Sequence, residues 1–171
     1  LWVVDAVEGA QNVSSLEVSD GYVYVITVDS MDPSQDYRAS SGTIRRVNLL
    51  TGALAGTMSN DVTGYYWAGG LATGSYFLVG DDSGSLSVYA RDLSSKVSSI
   101  DLGASVRCTL VESGGYVYAV TNNGVLHKLE LSDGGTLSEA GSAKFADSST
   151  STPSISGGVA YVGGGQGDYP G

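Results

Sequence analysis

Histidine and cysteine are almost missing from this 171-residue chain, which has one of each, His127 and Cys108. A Ser-His-Asp or Cys-His catalytic site would have to use that single histidine, and one His with one Cys falls short of a tetrahedral zinc set. A lone cysteine also excludes an intramolecular disulfide framework. Basic residues are scarce: eight Lys and Arg against 18 Asp and Glu leave a formal net charge of −10. That balance repels polyanions and sets nucleic acid and anionic membranes aside as partners. The chain also lacks any run of about eighteen apolar residues, so no segment reads as a membrane-spanning helix. Amphipathic helical spacing, with apolar residues at i, i+3, i+4 and i+7, is likewise missing without interruption by glycine.

What the chain does have is repetition. Gly21-Tyr22-Val23-Tyr24-Val25, Ser75-Tyr76-Phe77-Leu78-Val79, Gly115-Tyr116-Val117-Tyr118-Ala119 and Gly158-Val159-Ala160-Tyr161-Val162 are near copies. Tyr24, Phe77, Tyr118 and Tyr161 lie 53, 41 and 43 residues apart. A second marker runs out of phase with the first at the same interval: Gly42-Thr43-Ile44, Gly84-Ser85-Leu86 and Gly124-Val125-Leu126, each followed by two variable residues and an apolar one. The long first interval is accounted for by an insertion, 29–41, read as a loop between the second and third strands of its unit. Loops absorb insertions at small entropic cost, so deleting most of it is expected to leave folding nearly intact.

Within each unit, short runs of Val, Tyr, Ile and Leu alternate with Gly, Ser, Asp and Asn, which is strand-turn-strand punctuation. One unit divides into a strand around Val106 to Glu112, a second over 116–121, a turn at Asn122-Asn123-Gly124, a third over 125–131, a turn at Ser132-Asp133-Gly134-Gly135 and a fourth over 136–141. The chain is therefore expected to be all-β, and a four-stranded antiparallel unit of about forty residues is one blade of a β-propeller.

Ser151-Thr152-Pro153-Ser154-Ile155 leading into Gly158-Val159-Ala160-Tyr161-Val162-Gly163, together with Asn48-Leu49-Leu50-Thr51-Gly52-Ala53-Leu54, resembles the PQQ-like (pyrroloquinoline-quinone-like) propeller repeat superfamily. The resemblance covers almost the whole chain and bears on architecture more than activity, because propellers host unrelated functions. It departs from the cofactor-binding members: the Trp that docks neighbouring blades is absent after Thr51-Gly52 and from the next two turns, and Trp2 alone stands where such a residue ends a preceding blade.

These markers divide the chain into the end of a preceding blade (1–9), a blade with the inserted loop (10–60, insertion 29–41), two further blades (61–103 and 104–142) and a partial one (143–171). The expectation is a single propeller domain belonging to a larger ring of about six to eight blades, with a closed four-bladed ring as the alternative. The open edges call for the remainder of the polypeptide or a second copy to complete them.

The chemistry-bearing residues are few. His127 sits at a strand position filled by Arg45 and Ser87 in the sister units, so it is expected to face solvent or pack lightly. Cys108 lies among Val106, Leu110 and Val111 and reads as a small buried hydrophobe. Asp29, Asp32 and Asp36 in the insertion are weak calcium candidates, lacking the Gly and terminal Glu of an EF-hand loop. Asp81-Asp82-Ser83-Gly84 reads as turn chemistry alone. The aromatic group Tyr65-Tyr66-Trp67, placed at the opening of a first strand, is the ligand-binding candidate, since flat rings with polar edges suit sugar or peptide recognition. Its structural alternative is packing between blades.

The function expected is that of a non-catalytic bacterial propeller binding a protein or glycan, with no cofactor. Abundant Ser, Thr, Gly and Tyr with few Lys suggests an extracytoplasmic setting, secreted or at the cell surface. The family resemblance leaves two alternatives, part of a PQQ-dependent dehydrogenase and a scaffold of the outer-membrane-assembly type. For the dehydrogenase the sequence shows no tryptophan floor, calcium ligand set or adjacent cysteines.

Overall fold

The structure, a computed structural model, describes residues 2–3, 9–32, 34 and 38–167. Among the described residues fourteen strands follow one another: β1 Glu17–Ser19, β2 Tyr22–Asp32, β3 Arg38–Asn48, β4 Leu54–Asn60, β5 Leu71–Thr73, β6 Tyr76–Gly80, β7 Ser85–Ala90, β8 Lys96–Asp101, β9 Val111–Ser113, β10 Tyr116–Thr121, β11 Val125–Leu131, β12 Leu137–Lys144, β13 Ser154–Ser156 and β14 Val159–Tyr161. They form three four-stranded antiparallel sheets in sequence order, β1–β4, β5–β8 and β9–β12, and a two-stranded fourth sheet, β13–β14. This is a β-propeller of four-stranded blades whose ring is not closed among the described residues.

Each sheet opens with a tight hairpin. Asp20-Gly21, Gly114-Gly115 and Gly157-Gly158 all take positive φ, the conformation that matches the right-handed twist of the flanking strands. The hairpin registers fix which residues are equivalent. Ser19 pairs with Tyr22, Thr73 with Tyr76, Ser113 with Tyr116 and Ser156 with Val159. Tyr24 therefore corresponds to Leu78, Tyr118 and Tyr161, while Phe77 corresponds to Val23 and Val117. The spacing counted through Phe77 was one residue out of register.

Register matters because successive strand residues point to opposite faces. Tyr24 and Ile26 point forward from the first sheet and Phe77 and Val79 point back from the second, and together with Ile44, Tyr65, Ala68, Tyr89 and Leu93 they make one buried cluster. Leu78, Leu86 and Val88 point forward from the second sheet onto Val117, Ala119 and Leu129 of the third, making another. Tyr24 and Phe77 stack with centroids 4.3 Å apart and planes 7° apart. Both are fully buried, so each contributes roughly 1.5–3 kcal/mol through burial. Tyrosines also sew the sheets together: the Tyr24 hydroxyl donates to Arg91 O at 2.8 Å, and that of Tyr76 to Asp133 O at 2.7 Å.

Three residues beyond the equivalent Tyr24, Leu78 and Tyr118 positions, each four-stranded sheet makes a bond between side chains two residues apart, in the hairpin turn of the second and third sheets and within the longer β2–β3 pair of the first. Thr27 Oγ1 donates to Asp29 Oδ1 at 2.8 Å, Thr121 Oγ1 to Asn123 Oδ1 at 2.7 Å, and in the second sheet Ser83 Oγ donates to Asp81 Oδ1 at 2.6 Å.

Two sequence expectations change here. The insertion is not a loop: β2 and β3 run through it, with Met31 opposite Ala39 and Asp32 opposite Arg38. Ala39 is 1% exposed, so this extended hairpin packs onto its neighbour and cannot be a dispensable appendage. The first strands are also shorter than the run Val106 to Glu112 implied. β9 covers only Val111–Ser113, and Val106 reaches Thr121 through an isolated bridge.

Candidate functional site

The segments linking β4 to β5 and β8 to β9 meet the ends of the hairpins β2–β3, β6–β7 and β10–β11 on one face of the molecule, and the sequence-predicted aromatic group is found there. The structure splits it. Tyr65 is 1% exposed, its hydroxyl 3.3 Å from that of Tyr89, and burial raises its phenol far above the ordinary range. It belongs to the core. Tyr66 is half-buried and Trp67 is 45% exposed, and the two rings stack at 4.5 Å with a 22° interplanar angle. Neither lies on a first strand, because β5 begins only at Leu71.

Trp67 has φ of +57°, a conformation costly for a bulky residue. The backbone around it is held on every side. Gly64 N donates to Ala39 O at 3.1 Å, Asp82 N to Gly64 O at 3.0 Å, Ser14 Oγ to Tyr65 O at 3.1 Å and Gly69 N to Cys108 O at 3.1 Å. Ala68 is fully buried immediately after the exposed indole, and the chain bends at Tyr66 and Trp67.

Beneath the aromatic pair runs a polar ladder. The Arg107 guanidinium lies 5.0 Å from the Tyr66 ring centroid, within cation–π range. Its Nε and terminal nitrogen donate to Asp82 Oδ1 and Oδ2 at 2.7 and 3.2 Å. The Asp82 side chain has no exposed surface and accepts a third bond from Ala39 N at 2.7 Å. Ser105 Oγ donates to the Asp82 carbonyl at 2.7 Å. Asp82 thus ties the first sheet, its own sheet and the approach to the third. The dipeptide read as turn chemistry alone divides its work: Asp81 does cap the turn, accepting from Ser83 N, Ser83 Oγ and Ser85 N, while Asp82 is the hub. Burial raises the Asp81 carboxyl above its ordinary value, and its bonds from Ser83 and Ser85 pull the other way. Beside the ladder opens a polar cavity of about 330 Å³, lined by Arg38, Asp82, Ser105, Arg107 and Asn122 among others. An exposed indole, a braced phenol and an adjacent polar hollow can stack a flat apolar ring and hydrogen-bond its rim.

The remaining candidates are placed as follows. The Asp29 carboxylate accepts from Thr27 and Thr43 hydroxyls at 2.8 and 2.5 Å, and Asp32 accepts from Ser34 N and Oγ at 2.9 and 2.6 Å. Asp36 lies outside the described residues, among which no group of three or more His, Cys, Asp and Glu gathers. His127 is buried, not solvent-facing: Nδ1 is 2.9 Å from Glu139 Oε1 and Nε2 is 3.2 Å from Thr121 Oγ1. That Thr–His–Glu chain looks catalytic on paper, but Thr121 has no exposed surface and already donates to Asn123, so no substrate reaches it. Cys108 is buried and its thiol is pushed up to about 11 by desolvation, which keeps it protonated near neutral pH. Sequence reasoning missed Arg107 and Asp82; the adjacent Asp pair before a glycine was visible, but its partner lies 25 residues on.

Fold and site together define an open β-propeller with a braced aromatic platform on one face. No protein-family model and no curated protein matches the sequence. Solved structures do match in shape. The computationally designed Ika8 protein aligns with a TM-score of 0.64 at 14% identity over 88% of this chain and 42% of that one. BamB from Moraxella catarrhalis aligns at 0.60 and 14% identity over 90% and 40%, and the computationally designed Ika4 protein at 0.59 and 15% over 90% and 91%. The chain thus spans about two-fifths of the length of Ika8 and of BamB. At these identities the likeness is one of fold.

Proposed function

We propose that this chain is a non-catalytic interaction scaffold of a bacterial envelope or surface protein, of the PQQ-like propeller kind, whose Trp67 face takes a glycan. The observation that carries this reading is the posture of Trp67: an exposed indole held at +57° in φ by a stack that ends in a fully buried carboxylate. Strain of this sort persists only where the surroundings over-determine it, and it concentrates at binding sites. Indole faces match the apolar face of a sugar ring, and the neighbouring hollow offers Asn122 and Arg38 to its hydroxyls. A protein partner is the second reading, supported by the fold shared with BamB, and an outer-membrane-assembly type of role would follow from it. The dehydrogenase alternative gains no support from the residues described.

The test uses a Trp2→Phe background, so that fluorescence reports Trp67 alone, titrated with neutral and acidic oligosaccharides. A saturable change is expected, and the binding heat measured by calorimetric titration with the same sugar should disappear in Trp67→Ala with the melting temperature unchanged. No saturable change with any sugar would overturn the glycan reading and leave the protein reading to be pursued.

A further inference from the structure

The hollow beside the polar ladder is unbalanced in its hydrogen bonding. Its acceptors are taken: both Asp82 carboxylate oxygens accept from Arg107, one of them also from Ala39 N, the Asp82 carbonyl accepts from Ser105 Oγ, and the Ser105 carbonyl accepts from Asn122 N at 2.8 Å. Donors on the same wall are left over. Arg107 carries five N–H groups, and its bonds to Asp82 use two of them. Neither the Asn122 side-chain amide nor the Arg38 guanidinium has a partner among the described residues, although both line the hollow. Asp32, opposite Arg38 in the β2–β3 register, is held by Ser34 N and Oγ.

Charge points the same way. Arg38, Asp82 and Arg107 are the charged residues of the lining, and since Asp82 and Arg107 cancel, Arg38 leaves this wall positive in a chain whose formal net charge is −10. A sugar hydroxyl brings a proton that needs an acceptor, and few are free here. An ionised carboxylate only accepts, and its planar pair of oxygens matches the fork of a guanidinium. The hollow, at about 330 Å³, is at the lower end of ligand pockets, which run from roughly 300 to 1,000 Å³.

Arg107 joins this hollow to the aromatic platform. Its guanidinium lies 5.0 Å from the Tyr66 ring, and that ring stacks on Trp67 at 4.5 Å. Those two steps separate the indole from the guanidinium, a gap suited to adjoining sugars of one chain rather than to a single ring. Resting on the glycan reading above, we propose that the ligand is an acidic glycan, a hexuronate residue seating its carboxylate between Arg38, Arg107 and Asn122 while the neighbouring neutral sugar lies on Trp67. The negative chain repels long runs of uronate, so the ligand carries its acid among neutral residues.

The test is calorimetric titration with a β1–4 glucuronate–glucose disaccharide, its methyl ester and cellobiose. The ester keeps the shape and removes the charge. The acid should bind the parent roughly tenfold to a hundredfold more tightly than the ester or cellobiose, the range expected for a hydrogen bond to a charged group. Arg38→Gln, a change at an exposed side chain, should abolish that preference with the melting temperature unchanged. An acid that binds the parent no more tightly than the ester and cellobiose would overturn the inference, and binding of any neutral sugar would then leave the glycan reading standing. A preference that survives intact in folded Arg38→Gln would overturn it as well. If none of the neutral and acidic oligosaccharides binds, both readings fall together.

Discussion

Replacing Arg107 by leucine is the sharpest test of the polar ladder. The substitution keeps an apolar stem of similar volume while stripping the charge from a carboxylate with no exposed surface. Breaking a buried pair by removing one partner leaves an uncompensated charge and costs roughly 3–5 kcal/mol. For a domain of this size each kcal/mol moves the midpoint by about 2–4 °C, so Arg107→Leu should melt roughly 6–20 °C below the parent. The partner variant Asp82→Asn retains an oxygen to accept the Ala39 amide but removes the need for a counter-charge. Added to Arg107→Leu, it should restore much of the loss. Thermal melts by circular dichroism on the four proteins of that cycle give the coupling directly. A loss below about 1 kcal/mol for Arg107→Leu, or simple additivity of the two changes, would refute the account of Asp82 as a hub that depends on its guanidinium.

The other two predictions concern neighbouring devices. Ala39→Glu forces a carboxylate into a site that is 1% exposed and beside Asp82, and should lower stability by about 3 kcal/mol or more; an unchanged urea midpoint would mean that the end of the β2–β3 hairpin simply lifts away. The hydrogen bonds from His127 and then Ser142 hold the Glu139 carboxyl below its ordinary value. A depressed carboxylate stabilises fully above its unfolded value, near pH 4.3, and loses that contribution as pH falls through its folded value. Melting temperatures followed from neutral pH downward should therefore fall more steeply for the parent than for Glu139→Gln, and parallel curves would contradict the sign.

The four-stranded unit was legible because its signals are local. Alternating apolar runs, paired glycines at tight turns and an interval of about forty residues needed no tertiary information. What failed did so for reasons of register and distance. A one-residue slip between Tyr24 and Phe77 is invisible in a run where both neighbours are apolar, yet it exchanges the face that meets the preceding blade for the one that meets the next. The insertion read as a loop because Asp, Pro and Ser fill its middle, although strand pairing runs to Asp32 and Arg38. Of the aromatic trio, the spacing gave no means of telling the buried Tyr65 from the exposed Trp67; that division depends on Tyr89 on one side and Arg107 on the other. His127 was assigned to solvent because its counterparts are Arg45 and Ser87, and it is buried because Thr121 and Glu139 satisfy both ring nitrogens.

The side-chain bond repeated at this level of each four-stranded sheet has a consequence for how such a chain can drift. In two sheets a threonine hydroxyl gives its proton to an acceptor two residues on, and in the other an aspartate receives one from a serine in the mirrored position. Donor and acceptor have changed places while the contact itself is kept. A single replacement at either position removes that contact, whereas a matched exchange of donor and acceptor restores it. Copies of the unit are then free to diverge two letters at a time, so the outline of a blade can outlast any resemblance between the words that spell it.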